Sequence, residues 1–127
     1  MPGARQLAIA GAGPTSAALF TLLWNALADL LGTAATATIL RRAARRATAR
    51  SPELAEVTIV RESSEYRYTL PSAWSEGAGD ADRALRLLIA ELVPLLVELT
   101  GPVAVRHLAR NPELRERGFI PPQEETP

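Results

Sequence analysis

The chain contains no cysteine, no lysine and a single histidine, His107. Without cysteine there are no disulfides, no thiolate nucleophile and no zinc or iron–sulfur site built on sulfur. With one imidazole, every Ser-His-Asp arrangement has to run through His107. Without lysine there is neither a Schiff-base residue nor the lysine of a Walker A loop. All fourteen basic residues are arginine, and fourteen acids balance them. No net field therefore draws the whole molecule to nucleic acid or to an anionic membrane, and any such attraction has to be local. No cofactor and no metal follow from this inventory.

What remains is an apolar chain of 127 residues, of a length suited to one domain with its own core. Residues 6–28 carry no charge, a run that invites a membrane or signal-peptide reading. Its periodicity argues otherwise. Leu19, Phe20, Leu23, Trp24, Leu27, Leu30 and Leu31 share one stripe, while Thr21, Asn25 and Asp29 align on the other side. This is an amphipathic helix of a globular core with no membrane span, and the expected location is cytoplasmic. Ahead of it, Gly11, Gly13 and Ser16 approximate G-x-G-x-x-G/A. Ser16 departs from that motif, and no second strand ending in a ribose-binding acid succeeds it. Residues 1–13 read instead as a flexible arm.

The remaining elements are set by pattern and punctuation. Gly32 ends the first helix and Thr33 is placed to cap a second over residues 34–50, with Thr36, Ile39, Leu40, Ala43, Ala44 and Ala47 inward. "SPEL" at residues 51–54 is a proline-started helical turn. Residues 57–61 and 66–70 alternate as two strands around a Ser63-Ser64 turn, which lacks the usual Asn-Gly or Asp-Gly. Residues 72–82 read as a loop, with Asp80 or Asp82 capping the next helix. That helix, over 81–100, is the most apolar element; Pro94 is expected to kink it, and Glu91 and Glu98 mark its polar side. Shorter helices end at Gly118, and residues 119–127 form a polar tail expected to be disordered. The fold class is thus α+β and mainly helical, about four helices around an antiparallel hairpin in the order α-α-β-β-α-α, one domain over residues 14–118.

A hairpin alone is a poor sheet, and the 81–100 helix shows apolar residues beyond a single stripe. Both features point to a second copy, with the hairpins meeting edge to edge and Leu87, Leu92, Leu96, Val97, Tyr66 and Tyr68 in the interface. The leading expectation is therefore a non-catalytic homodimeric regulatory or adaptor module, with room for a small apolar ligand between helices.

Charge supplies the alternatives. Residues 1–50 hold six arginines and one acid, residues 51–100 four arginines and nine acids. Arg41, Arg42, Arg45, Arg46 and Arg50 would lie against phosphates, or else pair with Glu53, Glu56, Glu62 and Glu65 within the chain or across a subunit contact; pairing is the expectation. No aromatics interleave the cluster for base stacking. His107, beside Arg106 and Arg110, is the candidate for a haem or small-ligand sensor. Glu91 with Glu98, and Tyr66 with Tyr68, lack a third group that would define a reaction.

Overall fold

The computed structural model describes residues 15–76 and 81–120. Their elements are α1 (Ser16–Leu31), α2 (Thr33–Ala47), a 3₁₀ turn (Pro52–Glu56), β1 (Thr58–Glu62), β2 (Glu65–Thr69), α3 (Ser72–Glu76), α4 (Ala81–Thr100), α5 (Val103–Ala109) and α6 (Pro112–Glu116). The class is α+β and mainly helical, with one two-stranded antiparallel sheet. The glycine motif at residues 11 and 13 lies outside the described residues. Its third member, Ser16, is engaged within the fold, donating to the Asp82 carboxylate at 3.0 Å.

Thr15 starts α1 in an extended conformation, its hydroxyl accepting the Ala18 N–H at 3.1 Å and satisfying one orphan donor of the first turn. Leu19, Phe20, Leu23, Trp24 and Leu27 are buried as their spacing requires, whereas Leu30 is exposed where the helix outruns the core. Gly32 ends α1 at φ 86° and ψ 162°, a region essentially restricted to glycine. The same residue occupies the N-cap position of α2, so Thr33 is the first residue of that helix and not its cap. α2 stops at Ala47, three residues earlier than its pattern implied. The Thr48 hydroxyl bonds back to the Ala44 carbonyl there, and the chain turns.

The alanines of α2 let α4 approach closely, and this is the most extensive contact between helices. Ala81, Ala84, Leu85, Leu88, Ile89, Leu92, Leu95 and Leu96 of α4 are all buried. Pro94 lies on the exposed side of α4, so its ring stays out of the core. Two interface candidates need correction here. Leu92 and Leu96 have 0% exposure inside their own protomer, and a partner has nothing of them to touch.

The hairpin pairs Ile59 with Tyr68 and Arg61 with Tyr66 on one face, Val60 with Arg67 on the other. The tyrosine face lies on α1: Tyr68 meets Phe20 edge-on at 4.9 Å between centroids and Trp24 at 5.4 Å. Tyr66 meets Trp24 at 6.4 Å, and the Tyr68 hydroxyl is 2.8 Å from that of Thr21. Tyr66 and Tyr68, expected in a subunit interface, thus pack one side on the chain's own aromatic cluster and remain half-buried. A hairpin backed by helices in this way no longer needs a second hairpin for its stability. In the tight turn Ser63 takes φ 57°, the left-handed conformation that Asn or Gly would supply more cheaply.

Residues 72–76, expected as loop, form α3, which places Trp74 at zero exposure with its indole N–H on Glu53 at 2.8 Å. Packing also continues past residue 118. Phe119 and Ile120 are buried, at 5% and 3%, and Arg86 stacks over the Phe119 ring at 4.5 Å. The tail expected from residue 119 thus loses its first two positions to the core. Among the described residues no helix is long and apolar enough to cross a membrane.

Candidate functional site

An amphipathic helix that spends its inner face on alanine, isoleucine and leucine must put its remaining residues outward. In α2 those residues are arginines. Arg41, Arg42, Arg45 and Arg46 are exposed on its outer face, and Arg50 is exposed in the turn after it. Arg41 and Arg45 line a groove toward β1, whereas Arg42 lines a groove toward α4. By helical spacing Arg46 succeeds Arg42, so the guanidiniums form two i, i+4 rows flanking a crest at Thr38.

The expected internal pairing is not formed. Among the described residues none of these five arginines enters an ion pair, side-chain hydrogen bond or ring contact. The acids proposed as their partners are engaged elsewhere or exposed: Glu53 accepts the Trp74 indole, Glu62 pairs with Arg67 at 2.9 Å, and Glu56 and Glu65 face solvent. The reason is geometric. The 3₁₀ turn and hairpin carry those glutamates to other faces, and sequence proximity did not become proximity in space.

Like charges at i, i+4 cost roughly 0.2–0.5 kcal/mol per pair. The C-terminal dipole of α2 offsets this for Arg45 and Arg46 in its last turn, but Arg41 and Arg42 sit a turn earlier, where the dipole has faded. The ridge therefore holds electrostatic repulsion that an external anion would relieve.

Two other features have site-like geometry. A groove of about 510 Å³ between α2 and α4 is lined by Ala34, Ala35, Ile39, Leu95 and Leu99, with Arg42 on one wall and Glu98 on the other. Leu99 is 58% exposed there. Of the remaining interface candidates, Leu87 is half-buried and Val97 is 48% exposed.

His107 is half-buried in a second cleft, of about 360 Å³, between α1 and the corner joining α5 to α6. Asn25 and Asp29 of α1 face it from one wall, and Arg110 and Asn111 stand on its own side. Sequence reasoning placed Arg110 beside His107 but missed Asn25, Asp29 and Asn111 as its companions. The available signal was the Thr21, Asn25, Asp29 row on α1, whose meeting with α5 only packing decides. Among the described residues no three His, Cys, Asp or Glu side chains converge as a metal-binding group.

Comparisons with protein-family models, with curated proteins and with solved structures found no match.

Proposed function

We propose that this chain is a non-catalytic binding module that docks on the phosphate backbone of duplex nucleic acid through the arginine ridge of α2. The observation carrying the proposal is that five exposed guanidiniums on one helix and its succeeding turn have no acidic partner within the described fold. The helical part of the ridge, residues 41–47, would span about 9 Å of helix axis, close to two or three successive phosphates along one strand, with Arg50 in the succeeding turn. Two rows flanking a crest suit the walls of a groove about 12 Å wide. The crest at Thr38 offers no large apolar residue, so the ridge lacks the apolar centre that a protein partner would bury. Without interleaved aromatics, single strands have nothing to stack on, and contact with phosphates predicts little sequence preference.

Salt dependence tests the proposal. Four or five phosphate contacts give a slope of log K against log salt of about −3.6 to −4.5, or roughly 150- to 500-fold weaker binding between 50 and 200 mM salt. Fluorescence anisotropy with a labelled 20-base-pair duplex should show this loss. Changing Arg41, Arg42, Arg45 and Arg46 together to glutamate should abolish binding while leaving the buried face of α2 untouched. Binding that survives that change, or that is insensitive to salt, rejects the proposal.

A second reading, a protein-binding adaptor that self-associates, is favoured by the apolar groove between α2 and α4, which Leu99 lines while 58% exposed. Light scattering separates the two. A defined oligomer dispersed by Leu99→Asp would support the adaptor reading, and a monomer at all concentrations would remove it.

A further inference from the structure

The cleft around His107 combines opposite charges that do not neutralise each other. Asp29 projects from α1 and Arg110 from the end of α5, and both line the same space. Among the described residues, neither side chain enters an ion pair or a hydrogen bond. Both side chains are exposed, and they do not close onto each other across the cleft.

The polar groups beside them are equally uncommitted. Asn111 occupies the N-cap position of α6, where a side-chain oxygen ordinarily accepts a backbone N–H, yet it makes no such bond. Its amide is left to the cleft, as are the amide of Asn25 and the imidazole of His107. The apolar part of the lining is Leu22, Ala26 and Pro112. The site therefore presents an exposed negative group, an exposed positive group, adaptable donors and acceptors beside them, and a short apolar strip.

We propose that this cleft binds a free α-amino acid with an apolar side chain, its carboxylate on Arg110 and its ammonium on Asp29. A zwitterion is the small solute that satisfies both walls at once. A phosphate or dicarboxylate would be opposed by Asp29, and a simple amine by Arg110. Asn111 and His107 add donors on the carboxylate side, Asn25 adds an acceptor on the ammonium side, and the side chain covers Leu22 and Pro112. The cleft has the volume of about a dozen waters, which accommodates leucine. None of these residues belongs to α2, so this site and the nucleic-acid reading stand or fall separately.

The experiment is calorimetric titration of the full chain with L-leucine, N-acetyl-L-leucine and L-leucinamide. Leucine should bind saturably, and each derivative, having lost one charge, should bind at least about tenfold more weakly. Asp29→Asn should erase the preference for leucine over its N-acetyl form, and Arg110→Gln the preference over the amide. Arg106→Gln, on the same helix but outside the cleft, should change nothing. Leucine-induced amide shifts in NMR spectra should centre on residues 22–29 and 107–112, a readout independent of any variant. No saturable binding of leucine, derivatives that bind as tightly as leucine, or shifts centred elsewhere would overturn the assignment.

Discussion

Replacing Leu92 with alanine distinguishes a core residue from an interface residue. Leu92 lies mid-stripe on α4 with no exposure, in the helix that packs most extensively on α2. The substitution removes three buried carbons, worth about 2.4 kcal/mol at ~0.8 kcal/mol each. The cavity left behind raises the cost to about 3–5 kcal/mol, because a fully buried site in a close-packed core relaxes only partly to refill it. Against a total stability of order 5–15 kcal/mol, that is a large fraction. With a urea m-value near ~1.5 kcal/mol/M, the midpoint should fall by about 2–3 M. Trp24 and Trp74 are the only tryptophans and both are buried, so their fluorescence tracks the transition directly. Light scattering on the same samples reports the mass. If Leu92→Ala melted like the parent chain while its mass halved, Leu92 would belong to a subunit contact and its place in the protomer's own core would be refuted. Val97→Ser, at a half-exposed site on the same helix, provides the contrast and should move stability by no more than about 0.5 kcal/mol.

Three further substitutions probe the backbone and the C-terminal packing. Ser63→Gly relieves a left-handed conformation in the hairpin turn and should stabilise the fold by up to about 1 kcal/mol, read as a higher urea midpoint; an unchanged or lower midpoint would count against the strain. Gly32→Ala meets no atom within 4 Å, so its cost should come from backbone angle alone, about 1–3 kcal/mol, with far-UV circular dichroism checking that both flanking helices persist. Phe119→Ala should cost about 3–5 kcal/mol if the ring is buried under Arg86. A neutral outcome would return residue 119 to an unstructured tail.

The sequence on its own determined the elements whose physics is local. The stripe of α1, the inward face of α2, the alternation of Tyr66 and Tyr68 and the apolar run of α4 each arise from a period that a helix or strand imposes on its own residues. It also determined which chemistries are absent, since a chain without cysteine or lysine cannot acquire their reactions by folding. Turn and loop details were less legible. Trp74 sits in a short stretch among Ser, Glu and Gly, and no period shows that a five-residue helix there delivers an indole into the core.

Only the tertiary structure decided which surfaces were spent and which remained. Whether Leu92 and Leu96 faced a partner or the chain's own core, and whether the arginines met Glu53 and Glu62, depended on how rigid elements were turned relative to one another. That orientation is set by side-chain packing between residues far apart in the chain. A helical wheel cannot distinguish an apolar face covered by its own protomer from one covered by another. The same limit hid the meeting of Asp29 with Arg110, 81 residues apart in the chain, because the cleft that they share exists only once α1 and α5 are packed.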